Sequence, residues 1–300
     1  MTDEQAAVLA LAQRARHDWY LVSQLLEATG SALRVLRQDW TGFEPPELLS
    51  AVTDSLVSDE ELAANNAMIA ALAAEGVRMV TVLDESYPTN LRLVYDRPPF
   101  LFFRGELRRK DERAVAVVGT RSASDEGLRQ ADRLARELVA NDVTVLSGLA
   151  MGIDGAAHEG ALAAEGRTIA VIGTGIRSTI YPPEHEELAS RVAASGALVS
   201  QFLPDSPPAR WSFPMRNRTM SGMAIGTVVV EASKTSGAKM QARLALEHGK
   251  RLFLIESLVM QEPWARNYAE RPGAKVVQSV DDVLSELEVE LRPVSQLSLH

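Results

Sequence analysis

Three hundred residues, 46% of them hydrophobic and 24% charged, suffice for one sizeable core with a smaller second domain and exclude disorder for most of the chain. The absence of cysteine excludes disulfides, thiol nucleophiles and thiolate metal sites together, leaving His, Asp and Glu as the remaining ligands. A net charge of −9, from 40 acids against 31 Lys and Arg, argues against coating a polyanion with the whole surface, so any nucleic-acid site must be local.

No apolar run approaches the roughly 20 residues of a membrane span, and the opening MTDEQAAVLALAQRAR carries acids where a signal peptide carries bases. A cytoplasmic protein is expected. Over residues 1–75 the apolar positions recur at helical spacing, as in Leu9, Ala12, Ala15 and then Trp19, Val22, Leu25, Leu26. Gly30-Ser31 breaks one helix and starts another, and Glu44-Pro45-Pro46-Glu47 and Val57–Glu61 read as further helix starts. This predicts a small N-terminal all-helical domain. Val77–Val82 and Phe100–Phe103 switch to a β-rich character between prolines, so 76–110 is expected as a strand-bearing connector packed on the core.

From residue 111 to 290, short runs that are apolar throughout alternate with helical patterns: Val115–Val118, Thr144–Leu146, Thr168–Ile172, Leu198–Ser200, Thr227–Val230 and Leu252–Ile255. Such runs belong in a mostly parallel sheet covered on both faces, which predicts a doubly wound α/β domain with ligands at the carboxyl ends of its strands. A short tail, 291–300, follows.

The strand ends hold the candidate chemistry. Gly119-Thr120-Arg121-Ser122 follows the first of these strands and leads to a helix starting near Ser124, an anion site in outline but not the Gly-x-Gly-x-x-Gly dinucleotide fingerprint. Ser147-Gly148 follows the second, and Asp154 and His158 share a helix face at i, i+4; without a third ligand nearby they are read as a first-turn acid and a loop-ordering histidine rather than a metal pair. Gly173-Thr174-Gly175 can approach a phosphate or merely permit a turn. The acids of Tyr181-Pro182-Pro183-Glu184-His185 read as the solvated face of a helix start.

Between Ser206 and Leu246 the chain carries one acid, Glu231, and six bases: Arg210, Arg216, Arg218, Lys234, Lys239 and Arg243. Together with Trp211 and Phe213, this acid-poor stretch reads as a surface for an extended polyanion, with bases stacking on the rings or the rings buried as core. Lys234-Thr235-Ser236-Gly237 ahead of a helix over Lys239–Glu247 suits a phosphate oxygen. Arg216 and Arg218, flanking Asn217, lie on opposite sides of an extended run or about 200° apart on a helix. One of the two is therefore expected to be structural, paired to Glu231 or to an acid elsewhere.

Val118-Gly119-Thr120-Arg121, Ser147-Gly148-Leu149-Ala150-x-Gly152-Ile153-Asp154-x-x-Ala157-His158, Gly173-x-Gly175 with Tyr181-Pro182, Phe213-Pro214-x-Arg216-Asn217-Arg218, Val230-Glu231-Ala232 and Ser236-Gly237 with Ala242–Glu247 occur in one order. In that order the chain resembles the DNA-processing protein A (DprA/Smf) family over about 76–285. The resemblance implies an extended Rossmann-like fold beside a SAM-like helical domain, single-stranded DNA binding and loading of the recombinase RecA in natural transformation or recombination. It also implies a homodimer and phosphate contacts at Arg121 and Lys234. Departures stand at Met151, Ala238–Gln241, Glu256-Ser257 and Trp264–Tyr268, the last two expected to put an acid and two aromatics on the crevice rim.

The reading is of a non-enzymatic binder of single-stranded DNA without cofactor, metal or membrane. In it Arg121 and Lys234 grip consecutive phosphates, the Gly119 turn and the Ser147-Gly148 and Ser236-Gly237 amides add donors, and Arg216 or Arg218 supports them beside Asn217. Two alternatives stand beside it. One is a phosphoribohydrolase-like enzyme, of whose signature Gly226-Thr227 and a displaced Glu231 remain; the other is a nucleotide-sensing paralogue.

Overall fold

The computed structural model describes residues 2–15, 18–39 and 57–291; the expected helix start at Glu44–Glu47 and the tail beyond residue 291 lie outside them. Nine strands form a single sheet: β1 (Val77–Thr81), β2 (Phe100–Gly105), β3 (Ala114–Val118), β4 (Thr144–Ser147), β5 (Thr168–Val171), β6 (Ala197–Ser200), β7 (Gly226–Val229), β8 (Arg251–Ile255) and β9 (Ala274–Val277). Their spatial order is β1-β2-β6-β5-β4-β3-β7-β8-β9. From β6 to β9 every pairing is parallel. The segment 76–110 extends this sheet: β1 and β2 pair antiparallel, Val77 opposite Arg104, and β2 pairs antiparallel with β6.

Burial on both faces accounts for the apolar runs. In β3, Val115 and Val117 pack with Ala131, Leu134 and Leu138 of the helix Asp125–Ala140, while Ala114, Ala116 and Val118 face the opposite core, where the helices Ser212–Met223 and Gly237–Glu247 contribute Met220, Met223, Ala238 and Ala242. β9 was not anticipated. It is an edge strand in which only Val277 is buried, so it lacks the fully apolar signature of the inner strands.

The N-terminal helices close on the second of these cores. Trp19 packs against Phe100 and Phe202, ring centroids 5.7 and 5.9 Å away, and its indole N–H donates to the Ala12 carbonyl. The Gly30-Ser31 break forms as the sequence predicts: Gly30, at φ 70°, caps one helix in the left-handed conformation, and Ser31 opens the next by accepting from the Arg34 amide. Ser58 likewise caps Asp59–Ala74, with three acids in its first turn.

Candidate functional site

The chain leaves β3 for β4 on one side of the sheet and returns as β7 on the other, so the loops after β3 and β7 flank the topological switch point, where open α/β sheets bind ligands. The strand ends are in register, Val118 opposite Val229, and the Thr120 amide donates to the Glu231 carbonyl at 2.6 Å. Between these loops and the helix Ser212–Met223 lies a cleft of about 310 Å³, walled by Gly119–Ser122, Thr235–Ala238, Phe213, Arg216 and Asn217. The stretch Phe213–Arg218 is thus helical, and the helix separates its two arginines.

Arg216 is 5% exposed and forms the floor. Its Nη1 donates to the Val171 carbonyl at 2.9 Å, and its guanidinium lies against Gly148, where an added Cβ would fall 1.7 Å from Nη1. Burial lowers its pKa, Asp154 opposing and Arg121 reinforcing the shift. A guanidinium nevertheless stays protonated in proteins. Arg218 points away, its Nε 3.5 Å from Asp96. The structural partner expected of one arginine is therefore Asp96 and not Glu231, whose carboxylate accepts from the Ser124 amide and hydroxyl at 3.1 and 2.8 Å.

Asp154 is the keystone of the loops. Its Oδ2 accepts from the Gly148 amide at 3.0 Å, and the Ala150 and Gly119 amides also point to it. Burial raises its pKa, offset by Arg216 and by those amides. His158, expected to order this loop, is instead fully buried against β5. Thr168 Oγ1 donates to the Val145 carbonyl, so it accepts the proton of His158 Nδ1 at 2.7 Å. Burial, then His185 and Arg216, lower the His158 pKa to about 3. The histidine that meets the loop is His185, with Nδ1 2.9 Å from the Leu149 carbonyl.

Several expected donors are already engaged. Ser147 is fully buried and its hydroxyl donates to the Val117 carbonyl at 2.6 Å; the Gly148 amide belongs to Asp154. Both positions build the layer beneath the cleft instead of facing a ligand. The Ser236 amide donates to the Ser233 carbonyl, and its hydroxyl caps the helix by accepting from Ala238. Gly173 and Gly175 are covered by Phe213 and by the Leu203-Pro204 backbone. Trp264 and Tyr268 are buried, and the Trp264 indole donates to the Ala232 carbonyl, so they are core and not crevice rim. Glu256 accepts from the Gln278 side-chain amide.

What remains open is cationic and aromatic. Arg121 is exposed, its guanidinium 5.4 Å from the Phe213 ring and 6.0 Å from that of Tyr181, which is 45% exposed. Lys234 is exposed on the rim between Ser233 and Thr235, both of which line the cleft. Neither base has an ion-pair partner among the described residues. Lys239 lies over Trp264, and Arg243 pairs with Glu247. The sequence marks Tyr181 only as part of a helix start and of the family motif, not as a ring of the cleft, although an aromatic directly before two prolines at a strand-end loop is a usable signal. Trp211, 44% exposed, stands edge-on to Phe202.

Among the described residues no three His, Asp or Glu side chains converge as metal ligands. A Ser-His-Asp chain does exist, outside the cleft: His248 lies 3.0 Å from the Ser221 hydroxyl and 2.8 Å from the Asp96 carboxylate. Ser221 is fully buried, so the chain clasps two helix ends to the loop before β2 instead of presenting a nucleophile.

Fold and cleft together define an extended Rossmann-like protein with a cationic, aromatic-rimmed crevice at its switch point. Residues 78–288 match the model of the DNA recombination-mediator protein A family, and the chain belongs to that family. It is 34% identical over 223 residues to the DNA processing protein DprA of Bacillus subtilis, covering 73% of this chain and 74% of that protein. The solved DNA processing protein A of Streptococcus pneumoniae superposes with a TM-score of 0.73 at 28% identity, over 94% of this chain and 97% of the other. That of Helicobacter pylori, studied for its single-stranded DNA binding mode, gives 0.63 at 25% identity, over 72% and 97%.

Proposed function

We propose that this chain is a cytoplasmic, non-enzymatic binder of single-stranded DNA that protects the strand and loads a RecA-type recombinase in natural transformation or recombination, working as a homodimer. The observation that carries the reading is the pair of unneutralised bases, Arg121 and Lys234, on neighbouring strand-end loops above the Arg216 floor. Bases on the loops of two adjacent strands suit two phosphates of one flexible strand, the Gly237 amide at the helix start adds a neutral donor, and nucleobases stack on Phe213 and Tyr181. Family membership supports it. The phosphoribohydrolase alternative loses support because Glu231 is held by Ser124.

The test is a salt-titrated binding assay with single-stranded and duplex DNA of equal length. The single strand binds more tightly, log affinity falls with log salt, and Arg121→Ala or Lys234→Ala flattens the slope by about 0.7 for each phosphate no longer neutralised. A slope unchanged in both variants refutes the assignment.

A further inference from the structure

Beside the cleft, and sharing Thr120, Ser122 and Ser233 with it, lies a second cavity of about 410 Å³. It opens on the other side of the same two loops, between the helix Asp125–Ala140 and the segment after β8. Its far wall is Ser257, Leu258, Gln261 and Glu262, of which Ser257 is one of the positions where the chain departs from the family pattern it otherwise resembles; Gln130 also lines the space from the helix. No phosphate belongs here, because Glu126 and Glu231 also line the space and the cavity contains no Lys or Arg.

The polar groups differ sharply in availability. Glu231 is held by Ser124, and Glu126 pairs with Arg129 at 2.8 Å. Glu262 is half-buried, and its carboxylate has neither a hydrogen bond nor an ion pair among the described residues. The side chains of Gln130, Gln261 and Ser257 are likewise unpaired among the described residues. One acceptor-only carboxylate, two amides and a hydroxyl thus line a space next door to a phosphate-binding loop, with Leu258 as an apolar wall.

We infer that this cavity reads one base of the bound strand, and that it selects bases carrying amino donors, guanine first and thymine last. The inference rests on the single-stranded DNA reading given above. A carboxylate accepts hydrogen bonds and donates none, so it fits a Watson–Crick edge that offers adjacent N–H donors. Guanine presents two side by side, N1–H and the 2-amino group, and meets a carboxylate bidentately. Cytosine and adenine each present one amino group. Thymine presents a lone N3–H between two carbonyls, both of which Glu262 repels. Gln130 and Gln261 supply the amide N–H groups that the guanine O6 requires.

The experiment compares a short oligothymidylate with the same strand carrying one central dG, dC, dA or dT, by fluorescence anisotropy on the full chain. The dG strand is expected to bind about tenfold more tightly than the all-dT strand, the size of one good bidentate base pairing. In Glu262→Gln the difference collapses to within about twofold while the salt slope is unchanged, since the phosphate-binding groups are untouched. Circular dichroism of that variant should match the parent, because the side chain it replaces has no partner. Equal binding of dG and dT strands by the parent, or an undiminished dG preference in Glu262→Gln, overturns the inference and leaves DNA binding standing. Failure to bind any of the strands overturns both.

Discussion

Acidification from pH 7 to pH 5 is expected to destabilise this fold by about 2 kcal/mol through His158 alone. The imidazole is fully buried, donates from Nδ1 to Thr168 and has no partner at Nε2, so the folded state holds it neutral down to a pKa of about 3. In the unfolded chain it titrates near 6.5. Its folded pKa is depressed, so the unfolded state binds the extra proton throughout the interval between these values, and stability falls as pH falls through it. At pH 5 the gap below the unfolded value is about 1.5 units, worth roughly 2 kcal/mol at 1.36 kcal/mol per unit. Urea denaturation of the parent and of His158→Leu between pH 5 and 7 isolates this part, because all other titrating groups are common to both. The variant should lose about 2 kcal/mol less over the interval. Parallel pH profiles would show that His158 is solvated or charged in the fold and would refute the reasoning.

Asp154→Ala strips the acceptor from the buried Gly148 amide and leaves the buried Arg216 guanidinium without its facing carboxylate. A loss of about 3 kcal/mol is expected, read as a fall of roughly 6–12 °C in Tm by calorimetry; a change below about 1 kcal/mol would contradict the keystone role. Tyr181→Ala removes an exposed ring of the Arg121–Phe213 cluster. Single-stranded DNA affinity should weaken by about 1–3 kcal/mol with the salt slope kept, in contrast to Arg121→Ala.

The architecture was legible wherever strands are buried on both faces: β3 to β8 carry continuous apolar runs because neither face meets water. β9, with one buried residue of four, sends no such signal. Helix starts fell at Ser31, Ser58 and Ser124 as expected because a hydroxyl ahead of an orphan amide acts locally, whereas the helix expected from Lys239 starts at Gly237, capped by Ser236. The site was legible as a region but not residue by residue. The acid-poor window falls on the cleft, yet Arg218, Lys239 and Arg243 turn to Asp96, Trp264 and Glu247, partners whose engagement depends on the folded arrangement. Ser147 and Gly148 failed as donors for the same reason: whether an amide or hydroxyl is free depends on Asp154 and Val117, and spacing does not reveal it.

The small number of open bases has a consequence for how the cleft would hold a strand. A chain of net charge −9 repels a polyanion at long range. In the proposed complex Arg121 and Lys234 would together neutralise about two phosphates, a log–log salt slope of roughly −1.4, which would forfeit less than about tenfold in affinity between about 50 and 200 mM salt. Stacking on Phe213 and Tyr181, at about 1–3 kcal/mol per base, scarcely responds to salt and is of comparable or larger size. The division is coherent. In the proposed complex, phosphate contacts would fix the register of the strand, and the rings and the neighbouring cavity would supply the affinity and selectivity that an acidic protein cannot draw from charge.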